Sequence, residues 1–235
     1  MKLRLLAAAT LAAAGLAGAA NAASVVTNVV DSGVSFTITT TPEADLGGFT
    51  PGLTPAGYTM IADFDNPLNP DFTMSGANIF PNPPNAGVGG AAAPPGDGTN
   101  YNSTQPGSPF TLTALGGKSL VSFSFYMGSP DDGAGFYNQL DFTVKGGPTL
   151  TRTGTNIWGG DDIFGGNQSQ GFLITYTFDA ASVTSLKFSQ VGSPAFEFDN
   201  ISGVLAVPEP ATWAMMIMGF GAAGAMIRRR RMVVA

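Results

Sequence analysis

The chain has 235 residues and a formal net charge of −6, and it contains neither cysteine nor histidine. It therefore has no disulfide framework, and it lacks the commonest general base and transition-metal ligand. Residues 23–207 hold 15 acidic and 4 basic side chains, a formal charge of −11. We expect this part of the chain to repel nucleic acid and anionic lipid.

Residues 1–22 have the pattern of a secretory signal peptide. Two basic residues precede an apolar, alanine-rich stretch that ends near residue 20. The small residues Ala20 and Ala22 frame the expected cleavage site, which would give a mature chain that starts near Ala23. The alternative is an N-terminal membrane anchor.

Residues 23–206 are predicted to form one all-β domain. Short segments rich in Val, Ile, Thr and Phe alternate with turns rich in Gly, Pro, Asn and Asp. In Ser122-Phe123-Ser124-Phe125, for example, the phenylalanines face one side of a strand and the serines face the other. The predicted strands are residues 25–30, 34–40, 58–64, 110–115, 120–127, 139–144, 149–153, 172–178, 183–190 and 195–201. Ten strands at this spacing predict a β-sandwich of jelly-roll type.

Two segments interrupt the strand pattern. Residues 80–107 are rich in Pro, Gly, Ala and Asn and almost lack apolar bulk, which predicts a flexible insert. Residues 159–171 form a second, glycine-rich loop.

Two short segments that mix aromatic and acidic residues are the best local candidate for a site. One is residues 63–66, and the other is residues 196–200, which close the domain. Because the first and last strands of a jelly roll are often neighbours, the two segments could supply oxygen ligands to one Ca²⁺. The candidate ligands are Asp63, Asp65, Glu197 and Asp199. The plainer interpretation is that the aromatic rings are core residues and the acids are turn residues or caps.

Other candidate residues lie in or near loops. Paired carboxylates can hydrolyse glycosides when they sit about 5–10 Å apart, although adjacent acids in glycine-rich loops are more often turn residues. The paired acids are Asp131, Asp132, Asp161 and Asp162. Trp158 and Tyr137 could stack on sugar rings, although a lone aromatic near a loop is more often packed against the protein.

The C-terminal residues 207–235 have three physical parts. Pro208 and Pro210 keep the chain around them extended, so a processing enzyme could grip this stretch. Residues 211–227 are 17 residues without a charge, a helix about 25 Å long beside a bilayer core of about 30 Å. Four arginines follow at 228–231. The pattern predicts a C-terminal transmembrane helix whose arginine end stays in the cytoplasm.

The amino-acid sequence of this tail resembles the PEP-CTERM sorting signal of Gram-negative bacteria, in the variant common in alphaproteobacteria. The matching residues are Pro208, Glu209, Pro210, Trp213 and, after a glycine-rich apolar run, Arg228, Arg229, Arg230 and Arg231. The resemblance implies recognition by exosortase, a membrane-embedded cysteine protease. It also implies cleavage near the Pro-Glu-Pro and passage from the inner membrane to the cell surface or the exterior. The alternative is an ordinary C-terminal anchor.

The resemblance sets our expectations for function. We expect a non-enzymatic surface or matrix protein linked to the envelope, exopolysaccharide or biofilm, with exosortase as a partner and no nucleic acid. The closing strand is also similar to that of exported PEP-CTERM β-domains, some of which are similar to carbohydrate-binding modules. The alternatives are therefore a calcium-supported carbohydrate-binding module and a glycan-acting or proteolytic enzyme.

Overall fold

The computed structural model describes residues 24–47, 52–81, 93–96, 98–128, 137–160, 170–192, 195–206 and 210–232. The predicted signal peptide, with Ala20 and Ala22, lies outside these residues.

The described residues form thirteen strands, two short 3-10 helices and one α-helix. The strands are β1 (Val25–Asp31), β2 (Val34–Pro42), β3 (Thr59–Ala62), β4 (Phe72–Ser75), β5 (Ile79–Phe80), β6 (Tyr101–Thr104), β7 (Phe110–Ala114), β8 (Leu120–Gly128), β9 (Asn138–Val144), β10 (Thr149–Thr153), β11 (Gly171–Phe178), β12 (Val183–Gln190) and β13 (Phe196–Leu205). The 3-10 helices are Glu43–Leu46 and Gly154–Trp158, and the α-helix is α1 (Pro210–Met232).

The all-β prediction is confirmed for the described residues between 24 and 206, and each of the ten predicted strands is present, with ends shifted by up to four residues. Three further strands, β4, β5 and β6, were not predicted. The last residue of β5 and the whole of β6 belong to the segment predicted to be a flexible insert, residues 80–107. That prediction is wrong for β6. All four residues of β6 are buried, and the strand pairs with β13. Its sequence carries one large apolar side chain, so its order comes from distant neighbours.

All strand pairs are antiparallel, and they fall into two groups. The first runs β1-β2-β11-β8-β13, with β3 and β6 pairing different parts of β13 and β5 pairing β6. The second runs β4-β7-β12-β9-β10. A single pair, Val183 with Leu120, links the two groups into one sheet. These pairings do not confirm the predicted jelly roll.

Aromatic rings from the two strand groups meet in one core. Phe36 of β2 meets Phe142 of β9 edge-to-face at 5.5 Å between ring centroids. Phe188 of β12 stacks on Phe198 of β13 at 4.1 Å. Such pairs add about 0.5–1.5 kcal/mol to the effect of burial alone. The alternation of β2, whose every second side chain is buried, supplies this core as the sequence pattern predicted.

The 3-10 helix Gly154–Trp158 closes one end of the core through two buried hydrogen bonds. The Thr40 hydroxyl donates to the Trp158 carbonyl at 3.0 Å, and the Tyr176 hydroxyl donates to the Ile157 carbonyl at 2.6 Å. Burial raises the pKa of the Tyr176 phenol well above its usual value, and the nearby positive charge of Arg152 offsets part of that rise.

The predicted C-terminal helix is present as α1, but its prediction as a transmembrane helix is not supported. Among the described residues, no helix is both long enough and apolar enough to cross a membrane. The uncharged run has 17 residues, whereas a span needs about 20. The run also contains three glycines, which lower its hydrophobicity: Gly219, Gly221 and Gly224.

Candidate functional site

The junction between the β-domain and α1 is short. β13 lies inside the sheet, between β8 on one side and β3 and β6 on the other. Its last residue, Leu205, pairs with Leu120, and the Ala206 N–H donates to the Ser119 carbonyl at 2.8 Å. The helix starts at Pro210. The domain therefore completes its sheet immediately before the predicted sorting residues, of which Pro208 and Glu209 lie outside the described part.

The helix α1 begins at Pro210, one residue before the predicted start. Proline is tolerated in the first turn because the amide hydrogen that it lacks has no partner there. Trp213 lies in that first turn, and Arg228–Arg231 lie in the last turns. Positive charge at this end complements the helix dipole.

The described apolar side chains of α1 are exposed. Met215, Ile217 and Phe220 are 69%, 70% and 74% exposed. A Cβ atom added at Gly219, Gly221 or Gly224 would meet nothing within 4 Å. At these positions no other described part of the chain lies against the helix.

The two acidic segments are neighbours, as predicted, because β3 pairs with β13 through Ala62 and Ile201. Asp63 closes a local turn. One of its oxygens accepts the Asn66 N–H at 2.9 Å, and the other accepts the Asn66 side-chain amide at 2.8 Å. Phe64 adopts a positive φ of 56° in this turn, and its buried ring packs edge-to-face against Phe198 at 6.0 Å. This matches the plainer interpretation of the segment.

The segment 98–100 links the two acidic segments. The Asn100 side-chain amide donates to Asp65 at 2.7 Å, and the Thr99 hydroxyl donates to Asp199 at 3.3 Å. Sequence reasoning missed Thr99 and Asn100, because both lie far along the chain from the acids that they contact. Local sequence offers no signal for these bonds beyond the turn preference of asparagine.

The four predicted calcium ligands do not form a metal-binding group. Asp65 is exposed, whereas Glu197 and Asp199 are buried, at 3% and 0% exposure. Across the ranges given above, no three His, Cys, Asp or Glu side chains form a group that could hold a metal ion. Both oxygens of Asp63 and one oxygen of Asp65 instead accept hydrogen bonds from nearby amides.

Of the two predicted sugar-stacking aromatics, only Tyr137 is accessible. Trp158 is 1% exposed, so its prediction as a stacking residue is wrong. The hydrogen bond from Thr40 to its carbonyl holds this short helix against the core. Tyr137 is 37% exposed. The four paired acids, Asp131, Asp132, Asp161 and Asp162, lie outside the described residues.

Comparison with protein families finds the PEP-CTERM protein-sorting motif at residues 206–231. Comparison with curated proteins gives no match, and comparison with solved structures gives none. The matched segment starts at Ala206, which makes the last backbone hydrogen bond among the described residues of the β-domain. It covers α1 from Pro210 through Arg231, including all four arginines. This chain therefore carries a PEP-CTERM sorting motif, which marks it as an exported protein that is sorted by exosortase.

Proposed function

We propose that this chain delivers a non-enzymatic β-domain to the cell surface or the extracellular matrix, where it associates with exopolysaccharide. Exosortase cleaves near Pro208-Glu209-Pro210 and separates the domain from α1. One observation carries the proposal. Among the described residues before α1, the last strand ends at Leu205, and the last backbone hydrogen bond of the domain is made by Ala206. Cleavage near Pro208 therefore removes no strand.

The proposal also includes a two-layered arrangement of the domain. It is supported by the ring contacts between the two strand groups, such as Phe125 with Phe188 at 5.1 Å. The strong negative charge of residues 23–207 suits a domain that stays in solution and away from anionic lipid. Of the two aromatic residues predicted to stack on sugar rings, only Tyr137 is exposed. Tyr137 is therefore the one stacking residue that still supports the carbohydrate-binding alternative.

The proposal is tested by the intact mass of the protein recovered from its native host. We expect the wild-type chain to end near Val207. The triple variant Pro208→Ala/Glu209→Ala/Pro210→Ala should keep Ala235 as its last residue. The matched control is Pro148→Ala, which changes a proline in the turn between β9 and β10 and should be processed like the wild type.

Cell fractionation of the same strains tests the destination. The processed wild-type protein should be found with the surface or matrix fraction, and the unprocessed triple variant should be absent from that fraction. A wild-type protein that still ends at Ala235 would refute processing. A processed protein that stays in the periplasm would refute the proposed destination alone.

A further inference from the structure

In the described part of the chain, β1 is an edge strand that pairs with β2 and with no other strand. Its one charged side chain, Asp31, lies at the end of the strand and forms an ion pair with Arg152 at 3.8 Å. Its seven residues, VVTNVVD, include neither proline nor lysine, which natural edges use to block association. Val26 and Val30 are 61% and 77% exposed. Two β-branched side chains therefore stand in water beside an open strand edge.

The turn that follows β1 determines which backbone groups face this edge. Ser32 and Gly33 have φ values of 51° and 81°, as the tight two-residue turn of type I′ requires. The pair that closes such a turn, here Asp31 with Val34, is a hydrogen-bonded pair. Because hydrogen-bonded pairs alternate along an antiparallel ladder, Asn28 and both exposed valines direct their N–H and C=O groups away from β2.

These outward-facing residues are arranged symmetrically. Val26 and Val30 lie two residues before and after Asn28, so all three side chains share one face. We propose that β1 pairs antiparallel with β1 of a second copy of this chain, about a two-fold axis at Asn28. Each Val26 then faces Val30 of the other copy. Asn28 faces its own equivalent, and each of the three pairs exchanges two backbone hydrogen bonds.

The charges of the strand fit this register. Asp31 lies at the end of β1, and in the pairing centred on Asn28 it faces Val25 of the second copy. The two Asp31 carboxylates are thus at opposite ends of the ladder. The body charge of −11 still opposes association. Because salt screens charges beyond about 10 Å, raising the salt concentration should strengthen the dimer.

Disulfide trapping tests the register directly, because the chain has no cysteine of its own. The Cα atoms of a hydrogen-bonded antiparallel pair are about 5.5 Å apart, a separation that a disulfide can bridge when the two edge strands shift to bring the Cβ atoms to about 4.5 Å or less. Asn28→Cys in the full chain should therefore form a covalent dimer under mild oxidation. The matched control is Thr177→Cys, which is exposed on β11, inside the sheet. Its cross-linking should be at least about tenfold slower. Equal cross-linking of the two variants would overturn the proposal.

Sedimentation of the full chain in mild detergent is the second measurement. Asn28→Pro removes an N–H that faces the open edge, where proline is compatible with an edge strand. We expect it to raise the dimer dissociation constant by about tenfold or more, because the N–H lost belongs to the central hydrogen-bonded pair. Asn28→Thr keeps the N–H and should behave like the wild type. All three proteins carry α1, so any association through the helix is common to them. Identical dissociation constants, or a wild-type chain that stays monomeric in high salt, would refute pairing through β1.

Discussion

Replacing Phe198 with alanine tests whether β13 anchors the core from which the sorting segment extends. Phe198 is fully buried. Its ring stacks on Phe188 at 4.1 Å and meets Phe110 edge-to-face at 5.4 Å. Truncating a buried phenylalanine costs about 3–5 kcal/mol, through lost transfer free energy and a residual cavity. Because a domain is stable by only about 5–15 kcal/mol, this loss is a large part of the total.

The measurement is thermal and urea unfolding of the full chain, with circular dichroism as the readout. For a domain of this size, about 4 kcal/mol corresponds to a fall in Tm of about 8–16 °C. Val191→Ala is the matched control, because Val191 is 61% exposed and its truncation should change stability by less than about 0.5 kcal/mol. If the Tm of Phe198→Ala stayed within about 2 °C of the wild type, our description of the ring cluster as one tightly packed core would be wrong.

Two further changes probe buried contacts. Tyr176→Phe removes the hydroxyl that donates to the Ile157 carbonyl, so we expect a loss of about 1–3 kcal/mol at neutral pH. Burial raises the folded-state pKa of Tyr176 above its unfolded value, so this group's contribution to stability is complete below about pH 10 and is lost as the pH rises further. Urea titrations should therefore show equal pH slopes for the wild type and the variant below about pH 10, and above it the wild type should lose up to about 1.4 kcal/mol per pH unit more than the variant. Equal slopes above about pH 10 would contradict this. Gly171→Ala places a Cβ against the Tyr126 hydroxyl, which donates to the Pro95 carbonyl at 2.6 Å. We expect a loss of about 1–3 kcal/mol and faster proteolysis near Pro95, with Gly146→Asn in an exposed turn as control; an unchanged cleavage rate would contradict the contact.

Strands with a regular alternation could be predicted from sequence alone. In the first part of β2, Val34, Phe36 and Ile38 recur at every second position, and the structure buries that same face along the strand. β6 could not be predicted in this way. Its residues Asn102, Ser103 and Thr104 are polar but fully buried, because β13 pairs beside them. Because burial of this kind depends on residues that are distant in the chain, no local sequence pattern predicts it.

The burial of Trp158 also depends on residues that are distant in the chain. The position of Trp158 before a glycine-rich stretch left open both a sugar-stacking aromatic and a packed one, of which the packed one is more usual. The structure buries the ring, and the Trp158 carbonyl accepts a hydrogen bond from Thr40, 118 positions earlier. The candidate acids behave similarly, because the partner of Asp199 is Thr99, 100 positions away. The sorting motif could be predicted because all of its residues lie in one short stretch of the chain, residues 208–231.

The charge distribution gives the cleavage a physical consequence beyond separation. Residues 208–235 hold four arginines and one glutamate, whereas residues 23–207 carry a formal charge of −11. Basic residues near an anionic bilayer contribute about 1 kcal/mol each to attraction, whereas an acidic domain is repelled by an anionic surface. The arginine cluster and the domain thus have opposite affinities for a membrane. If exosortase cleaves near Pro208, as proposed, the cleavage removes the attractive part and leaves the described strands in a domain whose charge favours departure from the membrane.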